Sequence, residues 1–175
     1  MPKLVLLNGP PAVGKSTVAR RYADDHPLTL VLEIDLVRGL LGAWLDDPQR
    51  SGWAARMIAL AMARTHLEAG HDVIVPQLLT RREFVEMLLE TTEASGATFY
   101  EVALMDPRDV VLARLEQRSE PSGAFSARAL MEKQGNAPGE TYDAFAATLA
   151  ERLDAIVIHD PLSEAAYEML VRLVS

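Results

Sequence analysis

The stretch GPPAVGKS at residues 9–16 restricts the fold of this chain more than any other feature, because it satisfies the pattern G-x-x-x-x-G-K-[ST]. A short apolar run, KLVLLN, precedes it, and Val18, Ala19 and Tyr22 follow it at helical spacing. Between a buried strand and a helix, such a loop can curl so that its backbone N–H groups meet phosphate oxygens at the helix N-terminus. The sequence therefore predicts a nucleotide-binding loop.

Each residue type in this loop has a physical task. The glycines allow the tight curl, the amine of Lys15 would reach the β- and γ-phosphates of ATP, and the hydroxyl of Ser16 would bind Mg²⁺. An ordinary glycine-containing turn is the alternative, but it needs no lysine followed by a hydroxyl. The residues expected to bind ATP are Gly9, Ala12, Val13, Gly14, Lys15, Ser16 and Thr17.

Apolar runs and helical patterns alternate along the rest of the chain, which indicates a parallel sheet covered by helices on both faces. A chain of 175 residues is long enough for one compact domain of this kind. We therefore predict a single α/β domain over residues 1–175 with a five-stranded parallel sheet. Strands are expected at 3–8, 28–35, 72–77, 98–105 and 155–159, and helices after the loop, at 53–69, 82–94, 107–118, 126–134 and 141–153, and at the end.

Composition limits the partners and the metal chemistry. The chain has no cysteine and four scattered histidines, which excludes disulfides and thiolate zinc sites, so a bound metal should have oxygen ligands, as Mg²⁺ does. A net charge of −8 argues against binding to nucleic acid or to an anionic membrane surface, and no apolar run is long enough to span a bilayer. The start of the chain has no signal-peptide pattern, so we expect a cytoplasmic protein.

Other classes of phosphate-loop protein carry motifs that this sequence lacks. A GTPase switch would have a guanine-reading N-K-x-D motif, and a mechanical ATPase would usually have four apolar residues followed by adjacent Asp and Glu; neither occurs. The segment EIDLVRG at residues 33–39 instead resembles the P-loop small-molecule kinases, which include shikimate, gluconate and nucleoside-monophosphate kinases and chloramphenicol phosphotransferase. This resemblance implies a three-layer α/β/α P-loop NTPase fold with a small helical lid.

The resemblance also implies roles at the end of the second predicted strand. In the kinases that phosphorylate hydroxyls, an acid at this point takes or orients the acceptor proton and often reaches Mg²⁺ through water, which implies this role for Asp35. A nearby arginine grips the substrate, which implies that role for Arg38. Asp35 could instead only cap the following helix. Glu33, two positions before Asp35 in the predicted strand, is expected at most to support the site.

The segment VVLARLEQRSEPSGAFSAR looks like the lid of those kinases, whose arginines close over the nucleotide. The resemblance implies a lid at approximately residues 118–135, with Arg114 and Arg118 as catalytic residues and Arg128 at the substrate. Arg114 would also contact the nucleotide. Because Arg114 and Arg118 share one helical face, a solvated helix face is the alternative. His159, at the end of the fifth predicted strand, is a candidate contact of adenine or a structural residue.

The third predicted strand departs from the kinase pattern. It would normally end in an aspartate that helps to hold Mg²⁺, but Pro76 and Gln77 stand at that point. Asp106, after the fourth predicted strand, is assigned to the start of a helix. The stretch VIVPQLLTRREF is similar to the third-strand region of tunicamycin-resistance-type proteins, in which this strand also runs into a proline. The resemblance makes Gln77, Arg81 and Arg82 candidate substrate-binding residues. The alternative is that these three are ordinary residues of a loop and a helix start.

Together these features predict an ATP- and Mg²⁺-dependent phosphotransferase that moves the γ-phosphoryl group to a hydroxyl of a small molecule. An antibiotic and a nucleoside-like compound are the candidate acceptors. Two alternatives stay open: a nucleotide-dependent protein that sequesters its ligand without phosphoryl transfer, and a kinase toxin that acts on a sugar nucleotide. The patterns leave the oligomeric state and the choice between ATP and GTP open.

Overall fold

The apolar runs of the sequence come together in one sheet of five strands. The computed structural model describes residues 1–117, 135, 137–151 and 155–175. The strands are β1 (Lys3–Asn8), β2 (Leu30–Val31), β3 (Val73–Pro76), β4 (Thr98–Met105) and β5 (Ile156–His159). They stand in the order β2-β3-β1-β4-β5, and every neighbouring pair is parallel. This confirms the predicted α/β fold with a five-stranded parallel sheet.

Helices cover both faces of this sheet, which gives the three layers that the resemblance implied. In the described part of the chain, none of them is long and apolar enough to cross a membrane. The described helices are α1 (Lys15–Asp25), α2 (Ile34–Gly39), α3 (Pro48–Glu68), α4 (Arg82–Ala94), α5 (Arg108–Gln117), α6 (Pro138–Ala150) and α7 (Glu164–Leu173).

The central strand β1 explains why both faces are covered. Leu4 and Leu6 belong to one core cluster with residues of α3 and α4, whereas Val5 and Leu7 belong to another with residues of α1 and α7. All four side chains are fully buried. A parallel strand without a solvent-facing side needs a continuous apolar run, which is the pattern that predicted it.

The segment after β2 differs from the prediction, and the difference moves a candidate catalytic residue. Residues 28–35 are predicted as one strand, but β2 ends at Val31 and α2 begins at Ile34. Ile34 and Val37 are buried in α2, and their separation of three positions is the spacing of a helix face rather than of a strand face. Asp35 therefore lies in the first helical turn, and Glu33 occupies the N-cap position.

Elsewhere the boundaries follow the prediction with small shifts. Strand β4 and helix α4 have the predicted limits. Helix α3 begins before the predicted residue 53, because Asp47 caps it: the Asp47 carboxylate accepts a hydrogen bond of 3.0 Å from the N–H of Arg50. The predicted helix at 126–134 lies outside the described residues.

Candidate nucleotide and acceptor site

The two glycines of the phosphate loop stand where no side chain fits. A Cβ on Gly9 would lie 2.6 Å from the carbonyl oxygen of Leu104, in the neighbouring strand β4. Gly14 has φ 107°, in the left-handed region, and a Cβ there would lie 2.7 Å from Cδ2 of Leu162. The loop therefore packs closely against Leu104 of β4 and against Leu162, which follows β5. This close packing explains why both motif positions are glycine.

Lys15 is the first residue of α1 and folds back into the loop. Its Nζ donates hydrogen bonds of 2.8 Å to the carbonyl oxygen of Gly9 and of 2.7 Å to that of Pro10. The ammonium group thus lies inside the curl of the loop, next to the N-terminus of α1, where the helix dipole favours an anion. This arrangement suits the binding of a polyphosphate.

The other predicted ATP-binding residues of the loop differ in burial and backbone conformation. Val13 is fully buried and its side chain belongs to a core cluster. Ala12 has φ 61°, in the left-handed region that non-glycine residues seldom adopt. Thr17 is exposed on the first turn of α1. Their predicted contacts with ATP stay predictions.

Ser16 is joined to a carboxylate that the sequence analysis placed in a minor role. The Ser16 hydroxyl donates a hydrogen bond of 2.9 Å to Oε2 of Glu33, and Arg20 donates one of 2.6 Å to Oε1 of the same carboxylate. Glu33 does not lie in a strand as predicted, because β2 ends at Val31 and Glu33 is the N-cap residue of α2. Its role as a supporting residue stays a prediction. The spacing of Ile34 and Val37 is the signal in the sequence that indicates a helix beginning at Ile34.

The oxygen atoms around Ser16 fit the predicted Mg²⁺. A hydroxyl and carboxylate oxygens are the hard ligands that this ion prefers, and Mg²⁺ sites commonly use one or two carboxylates together with substrate phosphates. In the described residues no group of three or more His, Cys, Asp or Glu side chains forms a metal site. The residues that would hold Mg²⁺ are Ser16, with Glu33 bonded to its hydroxyl, and Asp35, which interacts electrostatically with Glu33.

Asp35 meets Lys15 and Gln77 at this edge of the sheet. Burial raises the pKa of the Asp35 carboxyl above its ordinary value. The positive charges of Lys15 and Arg38 and a hydrogen bond with the Gln77 side chain oppose this rise, and the negative charge of Glu33 adds to it. The carboxyl is partly buried, so a bound molecule could still reach it. The carboxyl of the predicted base thus interacts electrostatically with the amine of Lys15.

Arg38, the predicted substrate anchor, is buried at the junction of α2 and α3. It is 5% exposed, and its Nε donates a hydrogen bond of 3.0 Å to Oγ of Ser51. Its Nη2 donates to the carbonyl oxygen of Pro48, and the guanidinium carbon lies 5.5 Å from the ring centroid of Trp44. Burial lowers the pKa of Arg38, and Asp35 opposes this effect. Arg38 thus ties α2 to α3, and its contact with substrate stays a prediction.

The three candidates after β3 separate in the structure. Gln77 reaches Asp35 through its side chain, while its N–H donates to the carbonyl oxygen of Leu7 at 3.1 Å. Arg81 is exposed at the N-cap position of α4. Arg82 is also exposed and lies 3.7 Å from Glu86 in an i,i+4 ion pair. Gln77 is brought to the site, and the roles of the two arginines stay predictions.

Arg114 and Asp106 form an ion pair. Nη1 of Arg114 donates to Oδ2 of Asp106, whose side chain is 5% exposed, and the hydroxyl of Tyr142 donates to the Asp106 carbonyl oxygen at 2.8 Å. Asp106 thus links α5 to α6, which agrees with its assignment to structure. The catalytic role of Arg114 stays a prediction. Arg118, Arg128 and all but residue 135 of the predicted lid at 118–135 lie outside the described residues.

The segment after β5 reaches the phosphate loop. His159, the predicted adenine contact, is exposed at the end of β5, so its role stays a prediction. Leu162, three residues further on, places its side chain against Gly14 while remaining 44% exposed. Leu162 is not among the residues predicted from the sequence. Its position just after the last strand could have identified it, because the carboxyl ends of the parallel strands face the phosphate loop.

Three solved structures have a similar fold and cover nearly the same length. A sugar kinase from Janibacter sp. HTCC2649 has a TM-score of 0.66 at 19% identity, covering 99% of this chain and 95% of the other. The tunicamycin resistance protein of Deinococcus radiodurans has a TM-score of 0.59 at 16% identity, covering 99% and 96%. The APS kinase of Mycobacterium tuberculosis, in complex with AMPPNP and APS, has a TM-score of 0.66 at 21% identity, covering 99% and 98%. At sequence identities this low, the comparison shows that the folds are similar and no more.

Comparison with protein families gives a closer assignment. No curated protein matches the chain. The AAA domain family AAA_33, however, matches residues 4–151, which include the phosphate loop, α2 and the segment after β3. The chain therefore belongs to the AAA domain family AAA_33, and its fold is the P-loop fold found in small-molecule kinases.

Proposed function

We propose that the protein is an ATP- and Mg²⁺-dependent phosphotransferase that moves the γ-phosphoryl group of ATP to a hydroxyl of a small molecule. The observation that carries this proposal is the meeting of two sets of groups at one edge of the sheet. Lys15 and Ser16 are suited to bind phosphate and metal, and the hydroxyl of Ser16 is bonded to Glu33 at 2.9 Å. Asp35, two residues after Glu33, interacts with Lys15. Its carboxylate can face an acceptor.

The donor side depends on the phosphate loop. Lys15 would exchange its hydrogen bonds with the carbonyl oxygens of Gly9 and Pro10 for bonds with the β- and γ-phosphates of ATP. Mg²⁺, when bound, would neutralise charge that develops on the phosphate oxygens. Ser16 would hold the ion, and Glu33, fixed by Arg20, would hold the water molecules around it.

The acceptor side depends on Asp35. The acceptor hydroxyl oxygen would attack the γ-phosphorus, the bond from that phosphorus to the β–γ bridging oxygen would break, and ADP would leave. The hydroxyl proton would pass to the Asp35 carboxylate. Because the hydroxyl becomes acidic only as the new bond forms, position matters more than basicity, and Gln77 holds the carboxylate in place.

Two of the proteins with this fold give the proposal its acceptor chemistry. The Janibacter protein is a sugar kinase, and the Mycobacterium protein is an APS kinase bound to AMPPNP and APS. A sugar carries hydroxyls, and an antibiotic or nucleoside-like compound would offer the same group. Arg38, Arg81 and Arg82, together with Arg114, Arg118, Arg128 and His159, are the proposed residues for gripping the acceptor and the nucleotide.

Ligand sequestration without phosphoryl transfer was the principal alternative, because β3 ends in Pro76 and Gln77 instead of an acid. The position of Glu33 weakens this argument. Its carboxylate accepts a hydrogen bond from the Ser16 hydroxyl, so Ser16 has a carboxylate neighbour although β3 ends without an acid. Phosphoryl transfer therefore accounts better for the arrangement.

The test is incubation of the protein with ATP, Mg²⁺ and a pool of hydroxylated antibiotics, nucleosides and sugars, followed by mass spectrometry. We expect one compound to gain a phosphoryl group with the wild-type protein and to remain unchanged with Asp35→Asn. A compound that is retained by the protein but recovered without added mass, while ATP stays intact, would contradict phosphoryl transfer and favour sequestration.

A further inference from the structure

Asn8, the residue directly before the phosphate loop, is 1% exposed and binds a segment that is distant in the sequence. Its Oδ1 accepts a hydrogen bond of 2.9 Å from the N–H of Leu79, and its Nδ2 donates one of 3.0 Å to the carbonyl oxygen of Leu79. Nδ2 also donates to Oε1 of Glu101 at 3.1 Å. One buried side-chain amide therefore satisfies both main-chain polar groups of Leu79.

Leu79 lies in the irregular segment at residues 77–80 that joins β3 to α4. Buried main-chain groups outside helices and strands need other partners, and Asn8 supplies them here. The Leu79 side chain is 3% exposed and packs in the core cluster that includes residues of β1 and α4. At its other end, the segment is held by the 3.1 Å hydrogen bond from the N–H of Gln77 to Leu7. The last two residues of β1 thus fasten this segment.

Gln77 carries this placement to the acceptor side of the site. Its side-chain amide interacts with the carboxyl of Asp35, which belongs to a different element, α2. This interaction requires that the segment after β3 stay beside α2. Since Leu79 follows Gln77 by two residues, a shift of Leu79 away from Asn8 would also move Gln77.

We propose that Asn8 is a positioning residue for the acceptor side: by holding Leu79 it fixes Gln77, and Gln77 in turn orients the carboxylate of Asp35. This inference rests on the proposed role of Asp35 in phosphoryl transfer. Because Asn8 directly precedes Gly9, it also fixes the position of the phosphate loop relative to the carboxylate of Asp35. The task needs a donor and an acceptor on one short side chain, which asparagine provides.

A residue that only stabilised the fold would behave differently. Its loss would lower the unfolding temperature and would weaken ATP binding and phosphoryl transfer together. A positioning residue that acts through Gln77 would lower the turnover number and leave the affinity for ATP unchanged. Its effect would also disappear when the Gln77 side chain is already absent.

Asn8→Asp is the test variant, because it keeps the shape of the side chain and an oxygen that accepts from Leu79, but its ionised form cannot donate to the Leu79 carbonyl. We expect kcat to fall on the order of 10- to 100-fold, as for a small misplacement of a reacting group. Gln77→Leu should have the same effect, and the double variant should be no slower than Gln77→Leu alone. Effects on kcat that multiply in the double variant would overturn the proposal.

A second readout needs no turnover. The side-chain amide of Gln77, identified in ¹⁵N NMR spectra by its absence in Gln77→Leu, should exchange its protons with water faster in Asn8→Asp, while the signals of residues 9–16 stay in place. Unchanged exchange of the Gln77 amide would overturn the proposal even if kcat fell. If the wild type phosphorylated no acceptor, the proposed function would fail, and this measurement would still test the role of Asn8.

A control and a substitute complete the experiment. Glu101→Gln keeps an oxygen that accepts from Asn8, so both readouts should stay at the wild-type level. If Glu101→Gln changed kcat and the exchange of the Gln77 amide as much as Asn8→Asp does, the bond from Asn8 to Glu101 would explain the effect. That result would overturn the proposal that Asn8 acts through Leu79. If Asn8→Asp does not fold, Asn8→Ala, which has neither the donor nor the acceptor for Leu79, replaces it in both measurements with the same expected results.

Discussion

The hydroxyl of Ser16 donates a hydrogen bond of 2.9 Å to Oε2 of Glu33. These two residues come from the two sides of the site, Ser16 from the first turn of α1 and Glu33 from the N-cap position of α2. The bond places a carboxylate beside the predicted metal ligand, although β3 ends without an acid. Glu33 is therefore the proposed substitute for the acid that the kinase pattern has at the end of β3.

Glu33→Gln should weaken Mg²⁺ binding. The amide keeps an oxygen that can accept from Ser16, but the negative charge near the ion is lost, and residues around the first ligands typically contribute about 10- to 100-fold in metal affinity. The measurement is the Mg²⁺ dependence of turnover together with Mn²⁺ binding followed by electron paramagnetic resonance in the presence of ADP. Glu164→Gln is the matched control, because Glu164 also pairs with an arginine of α1, Arg21, at 2.6 Å. Equal metal affinity in Glu33→Gln and wild type would contradict this role.

Lys15→Ala should weaken ATP binding by about 1.5–3 kcal/mol, which is roughly 10- to 150-fold, because a charged hydrogen-bond donor to phosphate is lost. Isothermal titration calorimetry measures this effect. Lys3→Ala is the matched control: the Lys3 amine also donates to a main-chain carbonyl, that of Val174, but at the opposite edge of the sheet. We expect Lys3→Ala to bind ATP normally. Similar losses of ATP affinity in both variants would argue against a phosphate role for Lys15.

Asp35→Asn should bind ATP normally but transfer its phosphoryl group about 10²- to 10⁴-fold more slowly, the range expected for loss of a general base. Because burial raises the pKa of Asp35, the wild-type rate should fall with decreasing pH at a value above the ordinary 3.8 of an aspartate. A pH–rate profile measures this. A profile that stays flat down to pH 3.8 would contradict the assignment of Asp35 as the base.

Asp35→Asn should also make the protein more stable at neutral pH. Between 3.8 and the raised pKa of Asp35, the folded protein binds more protons than the unfolded chain, so its stability falls as the pH rises through this window. The variant lacks this penalty, and its advantage in thermal unfolding should vanish below 3.8. Asp143→Asn should show the opposite sign, a small loss of stability at neutral pH that disappears in acid, because the hydrogen bond from Arg108 lowers the pKa of Asp143. An Asp35→Asn variant less stable than wild type at neutral pH would contradict the burial argument.

Gly9→Ala should destabilise the protein by about 1–3 kcal/mol, the usual cost of forcing extra volume into a packed position. The new Cβ would lie 2.6 Å from the Leu104 carbonyl oxygen, so the phosphate loop must shift and ATP binding should weaken as well. Thermal unfolding and ATP titration measure the two effects. Gly42→Ala is the control, because a Cβ there meets nothing within 4 Å. A Gly9→Ala variant as stable as Gly42→Ala would show that the loop tolerates the shift.

The donor side of the site could be predicted from the sequence because its signals are local. The phosphate loop is one continuous motif, and the strand before it is a continuous apolar run, so neither depends on distant contacts. The order of the five strands is not contained in any local pattern, but alternating strands and helices restrict it to a parallel arrangement, which is what the sheet shows.

The acceptor side could be predicted only in part, because it depends on where β2 ends. Asp35 was identified by resemblance, but both Asp35 and Glu33 were placed in a predicted strand that ends at Val31. Asn8 was missed for another reason: its partner Leu79 lies 71 positions away, and a single polar residue at the end of an apolar run has no pattern that indicates such a contact. Contacts of this kind follow from the packing of the whole sheet.

The central claim is that the phosphate loop and Asp35 belong to one phosphoryl-transfer site. The most direct test is the fate of the γ-phosphoryl group of ATP labelled with ¹⁸O, followed by mass spectrometry after incubation with Mg²⁺ and pooled hydroxylated acceptors. We expect the wild type to move the labelled phosphoryl group to one acceptor. We expect Asp35→Asn to bind ATP but to leave the labelled group on it. Equal transfer by Asp35→Asn, or label found only in free phosphate with the wild type, would contradict the central claim.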